Sequence, residues 1–395
     1  MLNSLSATPM DPIIQLAMDC RLDQRPDKID LGIGVYKDEH GQTPIMAAIK
    51  SAEQRLWQEQ QSKSYVGMAG DEQYNSLMSQ LLLGEQSPVL ARTAAVQTAG
   101  ASGALKLVAD CIKKAEPDAC VWLSNPSYAN HAPIMRAAGL RVAHYPYFDS
   151  QSHLVDEAAM LAQVAQLGPK DVLLLHGSCH NPTGADISFA AWQRITELCL
   201  QKGFLPFVDM AYQGFGQGLE QDAAGLRYLA ERVPELFCVS SCSKNFGLYR
   251  ERTGLALVLT QSASQSMAVK SRLMEAARST YTMPPDHGAS LVRLVLSDAQ
   301  LKQQWLDELQ QMQARISQLR HGLAQALTHA GCQKDLNFIT QHQGMFSVLS
   351  LTEQQCLELK NQFGLYIVNG GRINVAAINS QQLARIGELL APMLG

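Results

Sequence analysis

Short and almost continuous apolar runs alternate with helical patterns through the middle of the chain. Such runs lack the polar–apolar alternation of a half-exposed strand, so they predict strands that are buried on both faces. The predicted strands cover residues 120–123, 171–176, 204–209, 236–240 and 254–259, and a helix is predicted over residues 103–113. Buried strands separated by helices predict an α/β fold, with a parallel or mostly parallel sheet that helices cover on both faces.

The pattern changes near residue 298. Residues 298–331 carry apolar side chains at helical spacing, among them Trp305 and Leu309, and these side chains are predicted to be core. Strands are predicted at residues 344–348 and 372–375, which indicates a smaller α+β unit. At 395 residues the chain is long enough for two domains, or for one large domain with an appendage.

Composition narrows the class of protein. A hydrophobic content of 46%, a charged content of 17% and 28 glycines are typical of a soluble α/β enzyme. The formal net charge of −4 and the lack of a basic run argue against nucleic-acid binding. No signal peptide and no apolar run of about 20 residues is visible, so we expect no membrane association. The nine cysteines form no CxxC pair or metal-ligand spacing, which predicts reduced thiols, a cytoplasmic location and no metal site.

Polar residues follow three of the predicted strands. Asn181, Asp209 and Lys244 each lie at or just beyond the end of a strand. The carboxyl ends of parallel strands meet at one edge of a sheet, where open α/β folds bind their ligands. The three residues are therefore expected to share a site, although polar residues are also ordinary in the loops that follow strands.

The run around Lys244 suggests a cofactor. Its amine can form a Schiff base with an aldehyde once the site lowers its pKa. Ser241, Ser243 and Arg252 offer the hydroxyl donors and the fixed positive charge that a phosphate requires. An aldehyde that carries a phosphate is pyridoxal 5′-phosphate (PLP). The alternative is a surface lysine in a serine-rich loop, which is the commoner situation for a single lysine.

A turn of small residues at positions 97–105 opens a predicted helix and offers a second part of a phosphate site. Gly100, Ala101 and the Ser102 hydroxyl lie where the free N–H groups of a helix N-terminus can bind an anion. Many helices begin in this way, so the turn alone is a weak signal. Combined with the serines and the arginine near Lys244, it predicts a complete phosphate cage.

The pyridine ring of PLP needs a carboxylate partner, because it acts as an electron sink only while its nitrogen is protonated. Asp209 is the candidate, and its alternative role is that of an Asx-turn or helix-capping residue. Tyr212 and Asn181 can donate hydrogen bonds to the phenolic oxygen of the ring. The sequence leaves open whether the Asn125–Pro126 and Asn181–Pro182 bonds are cis or trans.

With these residues identified, the chain resembles the class I PLP-dependent aminotransferases, and among them the bacterial aspartate/aromatic aminotransferase group. The resemblance runs from near residue 11 to the C-terminus, with the motifs in the order of the family. Lys244, in Ser-Cys-Ser-Lys-Asn-Phe-Gly-Leu-Tyr, matches the PLP lysine of the family. The other matching motifs are at residues 31–36, 64–67, 180–184, 209–215 and 371–375.

The resemblance implies the PLP-dependent transferase type I fold. Residues 41–305 would form the large PLP-binding domain, with a mostly parallel mixed sheet flanked by helices, and residues 1–40 and 306–395 would form a smaller α+β domain. A homodimer with shared active sites is also implied. The resemblance implies that Arg372 binds the substrate α-carboxylate and that Arg278 binds the distal carboxylate across the dimer. It implies that Tyr65 contributes to the partner's phosphate site and that His131 supports Asp209. It also implies that Gly34 closes over the substrate and that Tyr128 and Asn181 contact both cofactor and substrate.

Some residues depart from the family's usual pattern. Tyr128 stands where the family usually has a tryptophan against the cofactor ring, so it offers less stacking area and adds a hydroxyl that needs a partner. Ala101 stands where glycine is common. Met283 stands where relatives often have a small polar residue, and its adaptable apolar side chain favours aromatic substrates. Ser102 also resembles the aromatic branch of the group, whereas Val35, Lys37 and Thr43 resemble the aspartate-preferring branch.

The expected activity is transfer of the amino group of L-aspartate, and of aromatic L-amino acids, to 2-oxoglutarate by a ping-pong mechanism. A preference for aromatic amino acids is the close alternative. A PLP lyase or decarboxylase would use the same Lys244 and Asp209, but the pair of Arg278 and Arg372 argues against it. A protein that binds PLP without catalysis is a further alternative, and the complete set of lysine, aspartate and arginines argues against that.

Overall fold

The computed structural model describes residues 2–395, and a mixed seven-stranded sheet lies at its centre. The strands are β1 (Ile29–Asp30), β2 (Thr93–Ala99), β3 (Cys120–Asn125), β4 (Arg141–Pro146), β5 (Phe148–Asp149), β6 (Leu154–Val155), β7 (Asp171–His176), β8 (Leu205–Met210), β9 (Leu236–Ser241), β10 (Thr253–Leu259), β11 (Phe346–Val348), β12 (Leu365–Tyr366) and β13 (Arg372–Asn374).

Helices cover the sheet and build the end of the chain. The α-helices of the described residues are α1 (Pro12–Leu22), α2 (Ala47–Glu59), α3 (Glu72–Leu83), α4 (Gly100–Ala115), α5 (His131–Ala137), α6 (Glu157–Val164), α7 (Phe189–Lys202), α8 (Leu219–Asp222), α9 (Ala224–Arg232), α10 (Ala263–Thr280), α11 (Asp286–Ser297), α12 (Ala299–His329), α13 (Asn337–Gln341), α14 (Glu353–Phe363) and α15 (Leu383–Leu394). Short 3₁₀ helices are at Leu2–Ser4, Pro88–Arg92, Val375–Ala377 and Ser380–Gln382.

The strand order of the central sheet is β2-β10-β9-β8-β7-β3-β4. Only β10 runs antiparallel to its neighbours, so the carboxyl ends of the other six strands meet at one edge. The predicted α/β fold with a mostly parallel sheet is confirmed. Two of the strands, β2 and β4, lie outside the predicted ones: β2 is rich in alanine, and β4 is an edge strand with mostly exposed or half-buried positions, so neither has a continuous run of large apolar residues.

Each face of this sheet packs against its own apolar core, which explains why the strands are almost continuously apolar. Along β7, Leu173 and Leu175 join the cluster on one face, and Val172 and Leu174 join the cluster on the other. The second cluster packs against α4 through side chains such as Leu105. Burial of each such side chain contributes about 1.5–3 kcal/mol, which is why both faces select apolar residues.

A third apolar cluster forms the smaller α+β unit. It packs Leu319 and Leu323 of α12 against Ile386 of α15. Leu31 joins this cluster, and β1 pairs in parallel with β12, so the start and the end of the chain fold together. One continuous helix, α12, passes through position 305/306, where the boundary was predicted, and both domain boundaries remain predictions. Within residues 2–395, no helix combines the length and the apolar character that crossing a membrane requires.

Candidate functional site

The carboxyl edge of the sheet holds a cavity of about 180 Å³. It forms where the ends of β2, β3, β7, β8 and β9 come together, because the turns after these strands project to the same side. The residues that line the cavity are Ala101, Ser102, Tyr128, His176, Asn181, Asp209, Ala211, Tyr212, Ser241, Ser243, Lys244, Tyr249 and Arg252. Residues distant in sequence therefore form one site.

Lys244 lies in the turn that follows β9, with its Nζ 4.9 Å from the centroid of the Tyr212 ring. Burial lowers the pKa of the Lys244 amine to about 8. The negative charge of Asp209 acts in the opposite direction, and the positive charge of Arg252 lowers the pKa further. A lysine in this state can act as a nucleophile or as a base near neutral pH.

Asp209 lies near the end of β8 and is buried. Its Oδ2 is 2.9 Å from Nε2 of His131, whereas its Oδ1 is buried without a hydrogen-bond partner. Burial acts to raise the pKa of Asp209, but the hydrogen bond and the charge of His131, together with His176 and Lys244, outweigh it and hold the pKa below its ordinary value. Asp209 is thus an ionised carboxylate with one oxygen free to accept a hydrogen bond.

The hydrogen-bond chain continues behind Asp209. Nδ1 of His131 is 2.9 Å from Oγ of Ser127, which lies 3.4 Å from Nε2 of His176. Burial lowers the pKa of His176 to about 3, with a further contribution from His131 and an opposing one from Asp209, so His176 is neutral. His176 was not predicted as a site residue. Its position at the end of the predicted strand 171–176 was the signal that could have revealed it.

The predicted phosphate residues meet at the start of α4. Arg252 donates through Nη1 to Oγ of Ser243 (3.4 Å) and to the carbonyl oxygen of Tyr249 (3.1 Å). Gly100 does not line the cavity, but it allows the arginine to approach: a Cβ at this position would lie 2.4 Å from Nη2 of Arg252, and φ at Gly100 is +70°. No side chain caps the first turn of α4, so its N–H groups and Ser102 remain available to an anion.

Tyr128, Asn181 and Tyr212 surround the remaining part of the cavity. Nδ2 of Asn181 is 3.4 Å from the hydroxyl of Tyr212. The Tyr128 ring meets His131 edge-on, with 5.3 Å between centroids. Burial and the charge of Asp209 raise the pKa of Tyr128, so its hydroxyl stays protonated. The peptide bonds before Pro126 and Pro182 are both cis.

Arg372 lies outside this cavity, on β13 and largely buried. Its Nη2 donates to the carbonyl oxygen of Gly32, and its Nε has no partner. Its Cζ is 4.7 Å from the centroid of the Phe346 ring, which meets Tyr212 edge-on at 6.0 Å. Gly34 also approaches Phe346, because a Cβ at position 34 would lie 3.1 Å from Cζ of that ring. Phe346, which was not predicted, therefore links Arg372 and Gly34 to the cavity.

Arg278 and Tyr65 are not brought into the cavity of this chain. Arg278 lies exposed near the end of α10, where its Nη1 is 3.5 Å from Oγ1 of Thr282. Tyr65 is 90% exposed. Met283, near Arg278 in sequence, is half-buried. None of the three residues lines the cavity around Lys244.

A larger cavity, of about 910 Å³, lies between α3, α9 and α12. Its positive charges are neutralised nearby: Nζ of Lys302 is 2.7 Å from Glu85, and Arg227 pairs with Glu220. None of the predicted site residues lines it. Among residues 2–395, no group of three or more His, Cys, Asp and Glu side chains is arranged to hold a metal ion. The chemistry is concentrated at the smaller cavity.

Known proteins resemble the chain over its full length. It is 43% identical to the aspartate aminotransferase of Salmonella typhi, with 100% of each chain covered. It is also 43% identical to the aromatic-amino-acid aminotransferase of Pseudomonas aeruginosa, over 98% of this chain and 97% of the relative. The crystal structure of the aromatic-amino-acid aminotransferase from Burkholderia pseudomallei, covalently bound to pyridoxal phosphate, superposes with a TM-score of 0.97 at 37% identity and covers 100% of both chains.

The family described as aminotransferase class I and II matches residues 26–390. This range contains most of the small α+β unit and every residue that lines the cavity around Lys244. The full-length relatives and the matching fold agree with it. The chain therefore belongs to the aminotransferase class I and II family.

Proposed function

We propose that this protein is a PLP-dependent aminotransferase that moves the amino group of L-aspartate, and of aromatic L-amino acids, to 2-oxoglutarate. The observation that carries the proposal is a lysine of lowered pKa in the same cavity as a buried aspartate with one unpartnered oxygen. The first suits a covalent bond to an aldehyde, and the second suits a protonated ring nitrogen.

The cavity fits PLP at each of its polar groups. Oδ1 of Asp209 is a buried acceptor without a donor, which the protonated pyridine nitrogen would supply. Ser102, Ser241, Ser243 and Arg252 would hold the phosphate, together with the N–H groups of Gly100 and Ala101 at the start of α4. Tyr128 would contact the ring face, and Asn181 and Tyr212 would donate hydrogen bonds to the phenolic oxygen.

PLP, when bound, acts as an electron sink that makes the α-proton of an amino acid acidic. Lys244 would anchor the cofactor and, once the amino acid has replaced it there, would take the α-proton on its Nζ and deliver it to the former aldehyde carbon of the cofactor. Asp209 remains ionised throughout because His131 supports it. Water would then release the oxo acid while the amino group stays on the cofactor, and 2-oxoglutarate would enter afterwards to take that group, so ping-pong kinetics are expected.

Arg372 is the proposed partner of the substrate α-carboxylate, because a guanidinium can bind both oxygens of a carboxylate. Gly34 would lie beside this carboxylate in the segment that closes over the substrate. Arg278 is the proposed partner of the distal carboxylate, and Tyr65 that of the cofactor phosphate, both across a homodimer. Their exposure in a single chain supports this assignment, since neither has a role within its own cavity.

The substrate range is proposed to include both classes of amino acid. Relatives named aspartate aminotransferase and relatives named aromatic-amino-acid aminotransferase are equally similar, at 43% identity. Arg278 favours dicarboxylates, whereas Met283 and Ser102 favour aromatic side chains. An enzyme that prefers aromatic amino acids is therefore the second candidate.

We also propose a cytoplasmic location and a division into a large domain of residues 41–305 and a small domain of residues 1–40 and 306–395. The nine cysteines are all free, which suits a reducing compartment. The separate apolar cluster that joins Leu31 to the end of the chain supports the division.

The test is kcat/KM for aspartate, tyrosine and phenylalanine with 2-oxoglutarate as acceptor. Formation of the matching oxo acids that depends on 2-oxoglutarate supports the proposal, and the ratio between substrates assigns the preference. Release of CO₂ without transfer to 2-oxoglutarate would instead indicate a lyase or decarboxylase.

A further inference from the structure

A buried arginine of α12 holds the chain segment that leads into β11. Arg320 is only 3% exposed. Its Nη2 donates to the carbonyl oxygens of Gln343 (3.2 Å), Gly344 (2.7 Å) and Phe346 (2.7 Å). Its Nη1 donates to the carbonyl oxygen of Ile339 (3.1 Å) and to Oγ of Ser347 (2.7 Å). One guanidinium thus serves five acceptors, and three of them are carbonyls of one short segment.

This segment also contacts the turn that carries Asn181. The N–H of Gln343 donates to the carbonyl oxygen of Gly184 at 2.6 Å. Gly344, with φ at +70°, packs so closely that a Cβ would lie 2.3 Å from Cβ of Cys179. A shift of residues 343–346 would therefore be transmitted to the turn at residues 179–184.

The same segment carries Phe346, the ring beneath Arg372. The two are 4.7 Å apart, a distance at which the ring face attracts and orients a guanidinium. Residue 346 also pairs with Asn374 in the β11–β13 ladder, two residues from Arg372. The backbone that Arg320 holds therefore sets the position of the ring against which the Arg372 guanidinium lies.

Arg320 makes these contacts as a buried cation. The five oxygens that accept from it are uncharged, and the negative charge of Asp186 favours its protonated form. Burial lowers the pKa of Arg320 to about 10, so it stays protonated at neutral pH. Burying a guanidinium without a salt bridge is costly, and its hydrogen bonds offset that cost only while their acceptors are held in place. The Arg320 side chain and the backbone of residues 343–346 therefore hold each other in position.

We infer that Arg320 is a positioning residue for substrate binding, which acts through the backbone of residues 343–346 to hold Phe346 beneath Arg372. The inference rests on the proposed function, in which Arg372 binds the α-carboxylate. Arg320 itself does not line the cavity around Lys244. Loss of its donors would leave buried carbonyls unpaired and would let the segment move, so Arg372 would lose its fixed orientation.

The chain offers a matched control in Arg92. This arginine also donates to four backbone carbonyls, those of Pro234, Thr260, Ala230 and Val233, at 2.8–3.1 Å. It precedes β2, however, and lies at the amino edge of the sheet, opposite the cavity. Its loss should reduce stability without reaching the site.

The experiment compares wild type, Arg320→Met, Arg320→Lys and Arg92→Met, each loaded with PLP. Binding of 3-phenylpropionate, a monocarboxylate that cannot transfer an amino group, is measured by calorimetry alongside kcat, KM and the melting temperature. Arg320→Met is expected to weaken 3-phenylpropionate binding about tenfold and to raise KM for aspartate and phenylalanine alike, with kcat changed less than about threefold. Arg320→Lys keeps three donors, so its affinity for 3-phenylpropionate and its KM should lie between those of the wild type and Arg320→Met. Arg92→Met should lower only the melting temperature.

If Arg320→Met does not fold, Arg320→Lys combined with Phe346→Leu provides the test. Because Arg320 acts through Phe346, the double variant should bind 3-phenylpropionate no more weakly than Phe346→Leu alone. Affinity and KM that remain at wild-type values in the folded Arg320 variants, or effects that multiply in the double variant, would overturn the inference. Absence of transamination by the wild type would instead overturn the proposed function.

Discussion

The cavity around Lys244 and the surface around Arg278 differ in how much of a site one chain provides. Around Lys244, the ends of five strands bring together a lysine of lowered pKa, a supported carboxylate, and the serines and the arginine that are proposed to hold a phosphate. Around Arg278, the guanidinium is exposed and its one side-chain contact is a 3.5 Å approach to Thr282. Tyr65, at 90% exposure, is similarly isolated.

In the proposed homodimer, this difference would divide the roles of the site between two chains. A cofactor that serves every substrate needs a preorganised site, and a sheet edge provides it because strand ends are fixed by the ladder. The group that distinguishes a dicarboxylate from an aromatic substrate can come from a second chain. Exposed large apolar side chains such as Trp57 (82%) and Ile45 (57%) are consistent with a surface that a second copy covers. The following experiments test this comparison.

Removal of the lysine should have the largest effect. Lys244→Ala should reduce transamination of aspartate by about 10⁴-fold or more, because the α-proton loses its acceptor. PLP should still bind, since the phosphate and ring contacts remain, and the visible absorbance of the bound cofactor measures this. Lys270→Ala is the control, because Lys270 pairs with Glu72 outside the cavity. Turnover close to that of the wild type in Lys244→Ala would refute the assignment.

Removal of the distal cation should act on one substrate only. Arg278→Ala should lower kcat/KM for aspartate about 100-fold and for phenylalanine less than about threefold, because only aspartate has a distal carboxylate to be neutralised. Arg272→Ala, on the same helix and paired with Glu275, should change neither value. Equal losses for the two substrates would contradict the role of Arg278.

Mixing two inactive variants shows which chain supplies Arg278. Subunits of Lys244→Ala and Arg278→Ala, exchanged at equal concentration, should recover about a quarter of the wild-type activity on aspartate, because half of the dimers then have one complete site. Size-exclusion chromatography verifies the dimer. Recovery no greater than the sum of the separate variants would mean that Arg278 acts within its own chain.

Replacement of the ring-face residue should have the smallest effect. Tyr128→Trp should leave the affinity for PLP unchanged or improve it by less than about threefold, because tryptophan offers more stacking area and has no phenolic hydroxyl. The dissociation constant of PLP, measured by absorbance after dialysis, provides the readout. A severe loss of affinity would mean that Tyr128 does not contact the ring.

Much of the fold and of the cavity was predictable from sequence because the signals are local. The apolar run of residues 171–176 matches β7 at both ends, and the helical spacing from residue 298 matches α12 to within two residues at each end. Lys244, Asp209 and Asn181 lie at strand ends, so the sequence placed them at one edge before any contact was known. His131 and Arg372 required the resemblance to the family, since neither lies in a run of distinctive chemistry.

Other features depend on contacts between distant parts of the chain. In the sequence, His176 is a polar residue at the end of an apolar strand, and only the structure shows that it lies beside Ser127. In the sequence, Arg320 is a charged residue on a long helix, and only the structure shows that it donates to five acceptors. Patterns of three to four residues indicate which face of an element is buried, but not which element it meets.

The sequence alone thus predicted five of the seven strands of the sheet, the helices α4 and α12, and the chemical character of the cavity, because strand burial and strand-end chemistry depend on neighbouring residues. Only the tertiary structure decided that Oδ1 of Asp209 is free, that Phe346 lies beneath Arg372, and that Arg278 and Tyr65 are exposed and do not line their own cavity. The physical reason is that hydrogen-bond partners and solvent exposure are set by chain segments distant in sequence, which meet only when the apolar faces pack.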